Sequence, residues 1–356
     1  MYLFSTPGGC KEACAGEHFD AFAPFVEDTV TKGQRLAGFE DVVMHSVPAR
    51  RADGTVVDAS AAIHQLVRKE HTESPFWLLR LVAGTKTAFT TSLPETSALP
   101  SRSLTVVDAC QTRITPGLVR EHLHAGRIVL VTGSKFMQGA SFSGAVLVPA
   151  PLAKQLREAG APLPLPQGMG DYFSSFEIPV ELEHWRSQLH SRPNEGLLAR
   201  WHTALPHIER VGAMEDARRS ALEAEWTDGV LGHLAKKQPT LKVAATEKGI
   251  ISIKCAKGHA FHDTETLKTV YRWLTQDMSS APGAQDCPAA GRSIYLGQPV
   301  QMTKMEAVIR IAMGAELLLQ MDDGTYDAAF EAPPVEKLAW AVDRYDEIRE
   351  WEAAQR

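Results

Sequence analysis

The chain has 356 residues, 44% of them hydrophobic and 22% charged, with a formal net charge of -6. That size suits about two domains. The mild acidity and the lack of a Lys/Arg cluster exclude general electrostatic affinity for nucleic acid. No apolar run is long enough to span a bilayer as a helix.

The opening residues, "MYLFSTPGGCKEACAGEHF", lack the basic region and apolar stretch of a signal peptide. Five cysteines, Cys10, Cys14, Cys110, Cys255 and Cys287, make a poor disulfide framework, so free thiols and a cytoplasmic location are expected. A strand is expected near Val42–Val47, a turn at Asp53-Gly54 and a helix around Ala59–Arg68. "FWLLRLVAG" (Phe76–Gly84) and "SLTVVDACQ" (Ser103–Gln111) read as strands. "TPGLVREHLHAG" has Pro near its start, helical spacing and a closing Gly, and reads as a short helix. "RIVLVTGS" is the next strand, followed by a loop through Lys135 and another strand, "SGAVLVP". Strands alternating with helices in this way imply a mainly parallel sheet covered on both faces. A Pro/Gly-rich connector follows over Pro149–Phe173, and residues 185–240 are helix-rich. From about 241 the pattern is that of a smaller α+β domain. It has a hairpin over "LKVAATEKGIISIKCAKG", a helix capped by Asp263 or Thr264, a strand passing into a helix at "AVIRIAMGAELL", and a long terminal helix from Pro334. The expected division is 1–180 for the large domain and 181–356 for the smaller one.

Lys135 stands between two strongly apolar runs, where a lysine is costly unless it does chemistry. Asp108 also ends an apolar strand. Ligands of open α/β sheets collect beyond the carboxyl ends of the strands. An amine and a carboxylate at one such edge suit pyridoxal 5′-phosphate: the lysine forms a Schiff base with the aldehyde, and the carboxylate pairs with the ring nitrogen.

"VVDACQ", "VLVTGSK" and "GASFSGAVLVP" together resemble the cofactor segment of fold-type-I pyridoxal-phosphate enzymes, the aspartate aminotransferase superfamily, in its cysteine-desulfurase-like branch. The resemblance implies a three-layer α/β/α large domain, here partial, with a smaller α+β domain, and a homodimer acting on an amino-acid substrate by transamination, decarboxylation, β-elimination or desulfuration. It assigns Asp108 to the ring nitrogen, Gln111 to the ring hydroxyl or imine region, and Lys135 to the Schiff base. Thr132 and Ser134 fall where the family places phosphate ligands, with Ser134 replacing the family's histidine. In "EAVIRIAMGAELL", Arg310 takes the place of the arginine that grips the substrate carboxylate, a task that suits a planar guanidinium. The match is good over residues 75–150. The family's longer N-terminal portion implies a phosphate-cradling loop, for which "STPGG" (Ser5–Gly9) is the nearest substitute before Asp108, with His18 or Phe19 as ring-stacking candidates. The branch also implies a persulfide cysteine on a mobile loop, for which Cys287 in "GAQDCPAAGRS" is the candidate.

Other readings stay open. A member of the same fold could bind without catalysing, or the chain could be an unrelated α/β hydrolase using Ser141, although "GASFSG" lacks the second glycine of a nucleophile elbow. "VTGSK" lacks the first glycine of a phosphate-binding P-loop. Cys255, His259, His262 and Asp263 are close in sequence, but as surface polar residues rather than metal ligands. A lone Cys10/Cys14 pair argues against zinc.

Overall fold

The computed structural model describes residues 2–5, 43–47, 51, 55, 57–70, 76–88, 99–100, 102–158, 164–165, 170, 173–258, 260–302 and 306–355. Cys10, Cys14, His18, Phe19, His259 and most of "STPGG" lie outside the described residues. The chain forms two compact units. One comprises 1–49, 57–83 and 91–208; the other comprises 50–56, 84–90 and 209–356. The first unit therefore runs past the Pro/Gly connector and takes in residues 181–208.

In the first unit, β1 (Tyr2–Ser5), β2 (Val43–Ser46), β3 (Trp77–Val82), β4 (Ser103–Asp108), β5 (Ile128–Thr132) and β6 (Gly144–Leu147) form one sheet in the order β2-β1-β3-β4-β5-β6. β1 through β5 pair in parallel and β6 pairs with β5 antiparallel. The α/β architecture expected from the alternating pattern is the one observed. Helices α1 (Ala59–Glu70), α2 (Pro116–His124) and α3 (Ala150–Glu158) connect or follow these strands.

β3 buries Trp77, Leu79 and Leu81 on one face, against Ile63 and Val67 of α1 and Val47. A strand presents every second residue to one side, so Arg80 and Val82 point to the other. A second cluster joins Val107, Ala109 and Val129 with Ile114. These near-continuous apolar runs fit central strands buried on both faces. Thr115 caps α2 by accepting from the Leu118 N–H at 3.3 Å, and Pro116 opens it where no N–H is needed. Helix α4 (Glu195–Ala213) contributes its residues up to Ile208 to this unit.

The second unit contains α5 (Asp216–Ala235) and a sheet built on β7 (Leu241–Glu247), β8 (Ile250–Lys257), β9 (Ala260–Phe261), β10 (Gly297–Gln301) and β11 (Ala307–Ala312). β7 and β8 form the expected hairpin, turning at Lys248-Gly249, both with positive φ. Helices α6 (Thr264–Leu274), α7 (Ala315–Asp322), α8 (Ala332–Asp343) and α9 (Tyr345–Ala354) complete it. Asp263 caps α6, accepting from the Thr266 N–H at 2.9 Å. The expected single terminal helix is two helices. The chain leaves helical geometry at Arg344 (φ -102°, ψ 22°), whose guanidinium bonds Asp286 at 3.2 Å and Glu347 at 2.8 Å.

Lys337 on α8 is wholly buried. Its ammonium donates to the backbone carbonyls of Leu274 (3.1 Å), Gln276 (2.7 Å) and Arg292. Leu274 is the last residue of α6, so the cation satisfies carbonyls that a helix end leaves bare.

Candidate cofactor site at the strand ends

Asp108 closes β4 and Thr132 closes β5, and in register Asp108 lies opposite Leu130. The two chain exits therefore leave the same edge of the sheet. Thr112 and Thr132 tie them together. The Thr112 hydroxyl donates to the Thr132 carbonyl at 2.6 Å and accepts from the Thr132 N–H at 3.2 Å. The Thr132 hydroxyl donates in turn to the Cys110 carbonyl at 2.7 Å. A hydroxyl has one proton, so Thr132's is engaged within the fold. Thr132 thus acts first as a strut that fixes the turn after Asp108. Thr112 adopts a positive φ of 55° in that turn.

Asp108 is buried, and the guanidinium of Arg80 clasps its Oδ2. Arg80 lies on β3 opposite Val106, two residues before the Val82–Asp108 pair, so it reaches Asp108 diagonally across one face. Oδ1 accepts from the Cys110 N–H at 3.0 Å. Burial pushes this carboxyl upward, but the Cys110 thiol, the Arg80 bond and charge and the Cys110 N–H together outweigh it. The net result is a carboxyl held below its usual range, and so ionised at neutral pH. The adjacent Cys110 thiol is pushed up to about 12, first by burial and then by the Asp108 carboxylate, with Lys135 and Arg80 opposing. Cys110 therefore lies within electrostatic reach of Asp108, Arg80 and Lys135 at once.

Lys135 is exposed on the loop between β5 and β6, beside half-buried Ser134. The loop folds into a tight turn, with the Gln138 N–H on the Lys135 carbonyl and the Gly139 N–H on the Gly133 carbonyl. Phe136 and Met137 are buried beneath it, and the Arg113 guanidinium lies 4.6 Å from the Phe136 ring centre. Helix α4 supports the loop from below. His207 Nδ1 donates to the Met137 carbonyl at 2.7 Å, and Thr203 accepts from the Ala140 N–H at 2.8 Å. Gly133 and Gly139 both face Ala204, where any Cβ would approach its methyl to 2.6 Å. The small residues around Lys135 are there for this close helix approach.

The remaining expected residues fall as follows. Gln111 is half-buried in the turn three residues after Asp108. Ser141 is exposed on the β5–β6 loop, next to buried Ser143, whose hydroxyl donates to the Ala140 carbonyl at 2.8 Å. Arg310 belongs to the second unit, on β11. Its terminal nitrogens donate to the carbonyls of Lys86 (2.9 Å) and Gln298 (3.0 Å), and it lies against Gly297, where a Cβ would meet the guanidinium at 2.9 Å. Cys287 does not occupy the mobile loop expected of it. It is buried after a helical turn over Ala284–Asp286, and burial pushes its thiol up. Cys255 is buried in β8, His262 stacks near Tyr345 with ring centres 5.7 Å apart, and Asp263 is the α6 cap. The Arg80 clasp escaped sequence reasoning, though a charged residue inside "FWLLRLV" is the same kind of signal that marked Lys135.

No family model matches the sequence, and no curated protein matches it. Solved structures do match the fold. Mouse CSAD superimposes with a TM-score of 0.53 at 13% identity, over 96% of this chain and 63% of that one. Its apo form gives 0.52 at 14%, over 95% and 64%. Oryza sativa TDC, solved with PLP and tryptamine, gives 0.50 at 12%, over 95% and 62%. The fold is that of the pyridoxal-phosphate-dependent transferase-like proteins. This chain spans less than two thirds of the length of these structures, and identities this low speak for the fold alone.

Pyridoxal phosphate needs an acceptor for its ring N–H, an amine for its aldehyde and donors for its phosphate. An ionised carboxylate has about four acceptor positions, so Asp108 retains capacity for a ring N–H beyond its bonds to Arg80 and Cys110. Lys135 offers an exposed amine on the neighbouring strand exit. These two groups fit the ring and the aldehyde. Ser134 is the hydroxyl beside Lys135 that fits a phosphate, since Thr132's proton is already placed.

Proposed function

We propose that this chain binds pyridoxal 5′-phosphate and acts on an amino acid, with Lys135 as covalent anchor and Asp108 as partner of the ring nitrogen. The observation that supports this best is the placement of the two groups. A carboxylate held ionised in a buried setting and an exposed lysine leave adjacent parallel strands at one sheet edge.

When bound, the cofactor supplies an electron-withdrawing ring that weakens the bonds at the substrate's α-carbon. The chain's own residues do the rest. The Asp108 carboxylate would orient the ring by accepting its N–H. Gln111 steadies the ring hydroxyl, and Ser134 donates to a phosphate oxygen. Lys135 Nζ would anchor the cofactor through its aldehyde and would move a proton at the substrate's α-carbon. Arg310 is proposed to grip the substrate carboxylate, which requires it to exchange a backbone carbonyl for that ligand. A homodimer is part of the same proposal.

An absorbance titration of the purified protein with pyridoxal phosphate tests the reading. A long-wavelength band that saturates in the wild type and is absent from Lys135→Ala is expected. A folded wild type that produces no such band contradicts the reading.

A further inference from the structure

One face of α8 carries polar groups that the fold leaves without partners. Glu336, Trp340 and Asp343 recur at helical spacing and so share that face. They line a cleft of about 510 Å³, together with Lys237 after α5, Cys287 on its loop, and Arg344 and Glu347 at the start of α9. All of these residues belong to the second unit. Trp340 is only 7% exposed, and its indole N–H is buried with no acceptor among the described residues. An indole nitrogen can only donate, and a buried one normally finds an acceptor. Lys237 and Glu336 are half-buried, and among the described residues neither side chain has a hydrogen-bond or ion-pair partner. Burial raises the Cys287 thiol, Glu336 raises it further and Lys237 opposes, so both charges act at that buried sulfur. The rim is different. Arg344 is balanced there by Asp286 at 3.2 Å and Glu347 at 2.8 Å. Asp343 has one carboxylate oxygen on the Thr240 hydroxyl at 2.6 Å and keeps further acceptor capacity. Asp286, Glu336, Asp343 and Glu347 stand against Lys237 and Arg344, so the cleft carries an excess of negative charge.

We propose that this cleft binds a free amino acid with a cationic side chain. The ligand's carboxylate would accept from the Trp340 N–H and from Lys237. Its α-ammonium would donate to Glu336, and its side-chain cation would donate to Asp343 at the rim. Each of these protein groups gains the partner or the further bond that the fold does not supply, and the ligand's net positive charge offsets the excess of carboxylates. The volume lies within the range of small-ligand sites. An apolar ligand would desolvate both charges and the N–H without pairing them, which is costly. A diamine has no acceptor to offer Trp340 or Lys237. The site is built from the second unit alone and does not depend on the cofactor reading.

Equilibrium dialysis of the full chain with labelled L-lysine tests this. Norleucine, which lacks the side-chain amine, and cadaverine, which lacks the carboxylate, serve as competitors. One saturable lysine site per chain is expected. Each competitor should need a concentration about tenfold or more above that of unlabelled lysine, the loss that follows from a missing charge-assisted bond. Lys237→Met and Glu336→Gln should each weaken lysine binding by about the same factor. Neither side chain bonds to a described residue, so neither variant removes a contact that holds the fold. A folded wild type with no saturable lysine site overturns the proposal. So does a competitor that displaces as well as lysine. A lysine site that either folded variant leaves unchanged lies elsewhere, at a substrate site for example, and overturns it too. Should a variant not fold, the competitor series on the wild type still decides.

Discussion

Gly133 lies so close to Ala204 that a Cβ on the glycine would stand 2.6 Å from the alanine's methyl. Gly139, at the far side of the turn, meets the same methyl at the same distance. The loop carrying Lys135 is therefore seated on α4 through two glycines and one alanine. Close-packed interiors do not absorb an added methyl at such a separation. Gly133→Ala should cost on the order of 1–3 kcal/mol by overpacking. It should also displace Lys135 and weaken cofactor capture by more than its stability loss accounts for. Denaturant unfolding and cofactor titration on the same preparation measure both. Unchanged stability and capture would show that the contact does not position the loop.

Asp108 predicts an acid-sensitive term in stability. Its folded-state carboxyl is held below the usual value. A group depressed in this way contributes stability that is full above the unfolded pKa, about 3.9, and is lost as pH falls through the folded value. Wild-type stability should therefore drop below about pH 4, and Asp108→Asn should flatten that part of the slope. Asp108→Asn should also cost about 3–5 kcal/mol at neutral pH, because it removes the carboxylate charge that Arg80 clasps with its side chain only 12% exposed. Denaturant midpoints measured from pH 3 to pH 7 check the sign (roughly the range over which carboxylates titrate).

Lys337 should prove structural. Replacing it with Ala removes a donor from three backbone carbonyls inside the second unit, of which Leu274's retains the Ile294 N–H at 2.8 Å. A loss on the order of 3 kcal/mol is expected from orphaned bonds to a charged group. The lysine is wholly buried, so amine-labelling reagents should leave it unmodified in the folded protein while labelling Lys135. Mass spectrometry of labelled peptides reads both. Labelling of Lys337 at the rate of Lys135 would contradict the burial.

The thiols should be sluggish. Cys110 is pushed up to about 12 by burial and Asp108, and Cys255 to about 12 by burial alone. Alkylation depends on the thiolate. At neutral pH both should react far more slowly than a free peptide cysteine, and Cys110 should quicken in Asp108→Asn. Rapid alkylation of native Cys110 would contradict the charge balance described for the site.

Much of this arrangement is legible in the sequence because central parallel strands write themselves as apolar runs. "TVVD" and "IVLVTGSK" announce both the strands and the polar groups at their ends. The Thr115 and Asp263 caps are local, since their bonds reach only three residues ahead. What stays hidden depends on tertiary approach. Ala204 carries no pattern that marks it as the seat of the lysine loop, and the α4 residues that hold that loop follow the Pro/Gly connector that reads as a domain boundary. Thr132 reads as a phosphate ligand because hydroxyls suit phosphate, yet its proton is taken by a carbonyl 22 residues away in sequence. The break at Arg344 follows from its bonds to Asp286 and Glu347, of which only the second is local. The four residues of β1 are too few to show a period.

The central claim is a covalent bond between Lys135 and pyridoxal phosphate. The direct measurement is borohydride reduction of the cofactor-treated protein, followed by peptide mapping. The account predicts one reduced cofactor adduct on the peptide containing Lys135, absent from Lys135→Ala and weakened in Asp108→Asn. An adduct on another lysine, or none on a folded wild type, would contradict it.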